Sequence, residues 1–240
     1  MSRAEHARTL IITCEHGGNR IPAAYWPCFR PHRETLESHR GFDPGALALA
    51  RDFAKALDAE LVYATTSRLL VELNRSPRHP NLFSEVTRGL PTDERQALLE
   101  RYYYPYRSWV ETQVRAAIAA GRKVLHVSSH SFTPRLNGVV RRADVGLLYD
   151  PQRAGEVAFC LAWKAAIEKA DGTLVVRRNY PYRGTGDGLT THLRRRFAAK
   201  NYVGVEIEVN QKFPLGPARR WVVLRKALVT ALERALHSGF

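Results

Sequence analysis

Short apolar runs alternate with stretches of helical periodicity along most of the chain. Runs rich in β-branched and other apolar residues predict strands at residues 9–14, 61–66, 67–73, 123–128, 146–149, 173–176 and 202–209. Apolar residues recurring every three or four positions predict helices at residues 44–57, about 92–120 with a kink or break at Pro105, 152–169, 188–197 and around 221–232. The proline-rich stretch 77–91 predicts a surface loop.

This alternation predicts an α/β fold with a mostly parallel or mixed central sheet and helices on both faces. The sequence shows no internal repeat, low-complexity tract or linker, and 240 residues suffice for one large core. We therefore expect a single domain over residues 1–240. In such sheets, ligands bind beyond the carboxyl ends of the strands.

The composition indicates a folded, water-soluble protein. Hydrophobic residues make up 45% of the chain and charged residues 25%, which excludes disordered and collagen-like classes. The net charge of +14 leaves nucleic acid, an anionic surface and an acidic substrate open as partners. Arginines on solvated helix faces explain the same charge equally well.

The cysteines and the N-terminus bear on the compartment. Cys14, Cys28 and Cys160 are widely spaced and lack a C-x-x-C pair, so neither a disulfide framework nor a cysteine zinc site is expected. The charged first residues lead into an apolar run too short for a signal or membrane-spanning segment. These features predict a cytoplasmic protein.

Histidines and acids follow or occupy three of the predicted strands. They are Glu15 and His16, the segment 126–130 with a histidine at each end, and the pair Glu206 and Glu208. A lone histidine there is usually a hydrogen-bonding residue, but two histidines and one carboxylate with an open fourth position form a catalytic zinc set. Glu206 and Glu208 share one strand face, and either could take a proton from a metal-activated water, unless arginines pair with them.

Five segments resemble the N-formylglutamate amidohydrolase family, in the family's order. They are residues 13–22 (TCEHGGNRIP), 42–46 (FDPGA), 73–75 (LNR), 130–134 (HSFTP) and 206–211 (EIEVNQ). Residues 146–151 (GLLYDP) and 179–184 (NYPYRG) are also similar to segments of this family. Each segment alone is weakly specific, and the ordered set is specific.

The family is in turn similar to zinc-dependent exopeptidases and cell-wall amidases. The resemblance implies one zinc ion held by His16, Asp43 and His130, with Glu208 as the base and Glu206 as its alternative. Asn19 stands where the carboxypeptidase branch has the glutamate of its His-x-x-Glu motif, so the carboxylate ligand is open between Asp43 and Glu15. Asp43 could equally be a helix N-cap before Pro44.

The substrate-binding residues are expected from the same resemblance. Asn74 and Arg75 resemble a pair that grips the substrate carboxylate, a task that suits the planar arginine fork, although Arg75 could instead be a surface ion pair. Arg183 and Ser131 are further expected substrate-binding residues, and His39 is a weaker candidate for lining the pocket. His126 is expected to lie behind the metal ligands or in the core.

These expectations predict metal-dependent hydrolysis of a small anionic N-acyl amino acid, with N-formyl-L-glutamate giving formate and glutamate. One alternative is a different acylated acidic amino acid or a peptide-like amide. An alternative of another class is a nucleic-acid-binding protein with a non-catalytic metal site, suggested by the charge and by the run Arg194–Arg196. No nucleic-acid-binding motif accompanies that run, and no membrane partner is expected.

Overall fold

A six-stranded mixed sheet lies at the centre of the molecule. The computed structural model describes residues 8–237. In chain order its strands are β1 (Arg8–Cys14), β2 (Glu60–Tyr63), β3 (Lys123–Phe132), β4 (Arg135–Leu136), β5 (Val139–Val140), β6 (Val145–Leu148), β7 (Val176–Arg178) and β8 (Tyr202–Asn210). The sheet order is β2-β1-β3-β8-β6-β7, and β4 pairs with β5 in a separate hairpin.

The strand directions bring the predicted functional segments to one edge. β2, β1, β3 and β8 run parallel, whereas β6 is antiparallel to β8 and parallel to β7. The carboxyl ends of β1, β3 and β8 therefore meet at the same edge of three adjacent strands. This mixed sheet confirms the predicted fold class.

Helices cover both faces of the sheet. They are α1 (Trp26–Phe29), α2 (Arg33–Glu37), α3 (Ala46–Ala56), α4 (Thr92–Leu98), α5 (Tyr104–Ala119), α6 (Ala154–Ala170), α7 (Leu189–Arg196) and α8 (Ala218–His237). One apolar core lies beneath α3, α6 and α8, and a second lies beneath α5 and α7. The predicted stripe of α8 is buried at Leu224, Leu228 and Leu232. No helix within residues 8–237 is long and apolar enough to cross a membrane.

The predicted strand at residues 67–73 is wrong, because this segment forms turns. Leu69 and Leu70 pack into a small separate cluster with Phe29 and Leu98, not into the sheet. The backbone N–H of Glu72 donates to the carbonyl of Leu82 within the neighbouring loop. The apolar run reflects burial alone, and burial does not require an extended backbone.

Other boundaries differ from the predictions in smaller ways. The helix predicted over residues 92–120 is interrupted, as expected, but by a π-helical turn at Leu99–Tyr103 that ends two residues before Pro105, and Pro105 itself lies in the first turn of α5. The strand predicted at 173–176 lies at Val176–Arg178. β3 continues past the predicted end at residue 128 to Phe132, and this extension includes His130 in the strand.

Candidate active site

Two histidines and an aspartate converge at the carboxyl edge of the sheet. His16 follows β1, Asp43 lies in the loop before α3, and His130 lies near the end of β3; all three are buried. The Nδ1 atoms of His16 and His130 lie 3.3 and 2.9 Å from the same Asp43 Oδ2. Within residues 8–237, these side chains form the one group of three whose ligand atoms could hold a metal, all within 4.8 Å of one another.

The second ring nitrogen of each histidine faces another buried carboxylate. His16 Nε2 lies 2.5 Å from Glu72 Oε1, and His130 Nε2 lies 3.0 Å from Glu15 Oε2 and 2.9 Å from Ser128 Oγ. A carboxylate accepts only, so each Nε2 can donate its N–H to the carboxylate it faces. With Nε2 held in this way, loss of the proton on Nδ1 would leave both Nδ1 lone pairs directed at the position beside Asp43, an arrangement typical of metal-ligating histidines.

Arg68 donates hydrogen bonds to two of these acids. Its Nε donates to Glu72 Oε2 at 2.7 Å, and its Nη1 donates to Asp43 Oδ1 at 3.3 Å. The same guanidinium therefore braces Asp43 directly and His16 through Glu72. On the other side, Glu15 accepts from Ser128 at 2.6 Å and from Tyr106 at 3.0 Å.

The electrostatics of the cluster favour a bound cation. Burial alone would raise the pKa of Asp43 and Glu72, but the charges of His16 and Arg68 hold both well below their usual range. Burial likewise opposes protonation of His130, yet its hydrogen bonds to Asp43 and Glu15 raise its pKa well above the ordinary value. A metal cation can replace that proton, and the donor set of two imidazoles and one carboxylate fits a divalent metal.

The two glutamates of β8 differ in their surroundings. Glu206 Oε1 accepts the hydroxyl of Thr190. Glu208 is paired in register with His130 and is buried, and its Oε2 has no hydrogen-bond partner among the described residues. Burial raises the pKa of Glu208 to about 8, assisted by the charges of Asp43 and Glu206 and opposed by that of His130. Glu208 is therefore the acid with an oxygen available for proton transfer.

A cavity of about 460 Å³ opens over these groups and includes the predicted pair Asn74 and Arg75. Asn74 Nδ2 lies 3.4 Å from His130 Nε2, and Asn74 Oδ1 accepts the Leu189 N–H at 2.6 Å. Arg75 Nη1 donates to the backbone carbonyl of Asp187. In the described part of the chain, no carboxylate forms a salt bridge with Arg75, so its charge is available to an anion.

The structure also brings the remaining predicted pocket residues to this cavity. Arg183 and His39 line it and are exposed. Ser131 lines it too, but its hydroxyl donates to the carbonyl of Pro44 at 2.8 Å, so this side chain has no donor left for a substrate.

His126 lies behind the cluster and outside the donor group. It is fully buried, and its ring nitrogens lie 2.8 Å from Thr13 Oγ1 and 2.7 Å from the Tyr202 hydroxyl. Burial lowers the pKa of His126 to about 4, assisted by the charges of Arg194 and His130, although that of Glu15 opposes the shift. The neutral ring thus connects β1, β3 and β8 beneath the site.

This depressed pKa predicts an acid-sensitive contribution to stability. The unfolded state takes up the proton first as pH falls, so the contribution is complete above about pH 6.5 and is lost as the pH approaches 4. Between pH 6.5 and about pH 5, metal-free protein should lose roughly 2 kcal/mol more unfolding free energy than metal-free His126→Gln. Urea denaturation measures this difference, and His32→Gln at a partly exposed position is the control. Equal losses in wild type and His126→Gln would contradict the prediction.

Sequence reasoning missed Glu72 and Arg68. Both lie within the segment wrongly predicted as a strand, two and six residues before Asn74. On a regular strand they would share one face but stand about 13 Å apart, whereas the turns bring both side chains to His16 and Asp43. The sequence signal that could have identified them was the presence of two charged residues within an apolar run.

The chain is thus a mixed α/β protein with a buried His–Asp–His donor set at the carboxyl edge of its sheet. It belongs to the N-formylglutamate amidohydrolase family, whose sequence pattern matches residues 8–214, and it is accordingly assigned to the hydrolases.

Two solved structures resemble the chain over nearly its whole length. One, a gene product of Agrobacterium tumefaciens, is 31% identical, with a TM-score of 0.81 over 95% of this chain and 90% of that one. The other, an N-formylglutamate amidohydrolase from Ralstonia eutropha, is 20% identical, with a TM-score of 0.69 over 97% of this chain and 95% of that one. A comparison with curated proteins gives no significant match.

Proposed function

We propose that this protein is a zinc-dependent amidohydrolase that cleaves the amide bond of a small anionic N-acyl amino acid, with N-formyl-L-glutamate as the reference substrate. The observation that carries this proposal is the pair of histidine Nδ1 atoms directed at Asp43 Oδ2, each ring backed by a buried carboxylate. Family membership supplies the reaction class.

His16, Asp43 and His130 would hold the metal. Zinc suits two imidazoles and one carboxylate, although iron and manganese accept the same ligands. Glu15, the alternative ligand, instead accepts from Ser128 and faces His130 Nε2, which supports Asp43 as the carboxylate ligand. When bound, zinc supplies a Lewis acid for the amide carbonyl and for water.

Glu208 acts as the proton carrier in this proposal. Its unpaired Oε2 accepts a proton from the attacking water and later donates it to the departing amine nitrogen. A dication held by His16, Asp43 and His130 would favour the charged form of Glu208 and so oppose the effect of burial on its pKa. Glu206 is the less suitable base, because its Oε1 accepts the Thr190 hydroxyl.

Arg75 and Asn74 orient the substrate. Arg75 presents a charge that is not neutralised by a carboxylate within the described residues, and the Nδ2 of the preceding Asn74 lies 3.4 Å from His130 Nε2. Arg183, at the cavity mouth, adds to the attraction of an anion. Holding the substrate's carboxylate places its amide near the donor set and Glu208.

The arginine run that suggested a nucleic-acid-binding protein is largely engaged in contacts within the protein. Arg194 donates to the fully buried Glu156 at 2.9 Å and to the carbonyl of Gly204 at 2.8 Å, and Arg196 pairs with Glu111 at 3.0 Å. Two of the three arginines in the run are therefore engaged within the protein.

Formate release from N-formyl-L-glutamate by the purified, zinc-loaded protein tests the proposal. Steady release that stops on addition of a chelator is expected. Zinc-loaded protein that hydrolyses neither this compound nor other N-acyl amino acids would overturn the proposed function.

Replacing Arg75 with Met is expected to raise KM for N-formyl-L-glutamate about tenfold or more, because a charge-assisted hydrogen bond to the substrate carboxylate is lost. The effect on kcat should be smaller. Arg142→Met removes the same charge from an exposed residue that does not line the cavity and serves as the control. Equal KM values in Arg75→Met, Arg142→Met and wild type would exclude Arg75 from carboxylate binding.

A further inference from the structure

The cavity lining includes five apolar or aromatic residues, and the proposed reaction on N-formyl-L-glutamate gives them no role. These residues, here called the apolar wall, are Phe132, Leu136, Leu148, Pro181 and Tyr182. A formyl group has no carbon beyond its carbonyl, so it cannot cover such a surface. The wall therefore bears on which acyl group the protein accepts.

The wall and Arg75 come from different parts of the sheet order, while Arg141 and Arg183 lie beside the exposed Tyr182. Arg68 and Arg75 lie in the segment after β2, at one end of the order β2-β1-β3-β8-β6-β7, and Leu148 ends β6 near the other. Leu148 is paired in register with Glu206 on the side of β8 that faces away from β3. Arg75 and Leu148 therefore reach the cavity from different parts of the sheet order, with the two histidines of the donor set and Glu208 at the strands between them.

The wall is built by packed side chains. Phe132 and Leu148 are each 1% exposed, and Phe132 packs edge-on against Tyr180 with ring centroids 6.4 Å apart. Arg141 donates to the Tyr182 hydroxyl at 3.1 Å and stacks over the same ring at 5.0 Å, which fixes that half-exposed ring at the cavity rim. Leu136, on the β4–β5 hairpin, is only partly buried and can still be covered by a ligand.

On the basis of the proposed function, we propose that the acyl group of the substrate is an apolar group of several carbons, aliphatic or aromatic, that packs on this wall while the substrate carboxylate lies at Arg75. An acyl chain of this kind removes its own apolar surface, and that of the incompletely buried Leu136, Pro181 and Tyr182, from water as the substrate binds. The products are the corresponding carboxylic acid and the free amino acid, with water adding across the amide bond.

The kcat/KM values of zinc-loaded protein for N-formyl-, N-acetyl-, N-butyryl- and N-benzoyl-L-glutamate test this inference. N-butyryl- or N-benzoyl-L-glutamate should exceed N-formyl-L-glutamate by about tenfold or more, the discrimination that a few apolar atoms give in a pocket. N-formyl-L-glutamate as the best substrate would overturn the inference and leave the proposed function intact. A preference for N-formyl-L-leucine over every acylglutamate would place the amino-acid side chain on the wall and would also overturn it. No hydrolysis of any acylated amino acid would overturn both proposals.

A pair of hairpin variants separates the wall from the hairpin as a whole. Leu136 and Val139 are cross-strand partners, but Val139 is 66% exposed and lies outside the cavity. Leu136→Ser should reduce the ratio of N-butyryl to N-formyl kcat/KM severalfold, and Val139→Ser should leave that ratio unchanged. An unchanged ratio in both variants, or equal reductions in both, would contradict the assignment of Leu136 to the acyl group.

Discussion

Glu208→Gln is expected to lower kcat for N-formyl-L-glutamate about a thousandfold, with little change in the amount of bound zinc. The amide keeps the size of the side chain but cannot accept a proton, and general acid–base catalysis typically contributes between about a hundredfold and ten-thousandfold. The unfolding free energy of the metal-free protein should change by less than about 1 kcal/mol, because the replaced carboxyl is buried with an unpaired oxygen and a raised pKa. Stopped assays of formate and thermal denaturation measure the two effects.

Glu206→Gln is the matched control for this variant. It lies two residues earlier on the same face of β8, but its Oε1 accepts the Thr190 hydroxyl. A much smaller loss of kcat is expected. If Glu206→Gln were the inactive variant and Glu208→Gln remained active, the roles of the two glutamates would be reversed.

Glu72→Gln is expected to weaken zinc binding by up to about a hundredfold, although Glu72 is not proposed to touch the metal. Its carboxylate lies 2.5 Å from His16 Nε2 and also accepts from Arg68, so it fixes the tautomer and direction of a proposed ligand. Loss of such a partner typically costs tenfold to a hundredfold in metal affinity. Competition with a chromophoric chelator measures the affinity directly, without reference to turnover.

Glu85→Gln supplies the comparison for Glu72→Gln. Glu85 pairs with Arg40 at the surface of the same loop region, so its replacement removes one charge and leaves the donor set untouched. Zinc affinity in Glu85→Gln should match that of wild type. Equal affinities in Glu72→Gln and wild type would show that Glu72 does not position His16.

Much of the sheet was predictable because its strands are nearly continuous apolar runs. β1, β3, β6 and β8 each lie within the parallel or central part of the sheet, where both faces are covered and the run itself is the signal. The segment 67–73 carries the same signal for a different reason, since Leu69 and Leu70 fill a cluster outside the sheet. Composition over a short window cannot distinguish these two kinds of burial.

The site was predictable to the extent that its residues lie at strand ends. His16, His130 and Glu208 come from adjacent parallel strands, so sheet order alone brings them together. Asp43 lies in a loop, and its own backbone N–H donates to the carbonyl of His16. No periodicity in the sequence indicates that contact. Arg68 and Glu72 lie on turns, and their positions follow from long-range packing.

The arrangement also explains how a deeply buried group of acids is tolerated. Each carboxylate of the cluster meets a hydrogen-bond donor or a positive charge: Glu15 meets Ser128, Glu72 meets Arg68, and Asp43 meets both histidines. Glu208 is the exception, and an unpaired buried acid oxygen is costly unless a ligand completes it. In the proposed mechanism, that oxygen meets the attacking water.

The central claim is that amide hydrolysis requires one metal ion at His16, Asp43 and His130. The most direct measurement is a zinc titration of chelator-treated protein, in which the rate of N-formyl-L-glutamate hydrolysis is followed as zinc is added, with Asp43→Asn treated in parallel. The rate should be near zero without metal and rise linearly to a break at about one zinc per chain, and Asp43→Asn should remain inactive at that ratio. Full activity in metal-free protein, or an unchanged titration in Asp43→Asn, would contradict the claim.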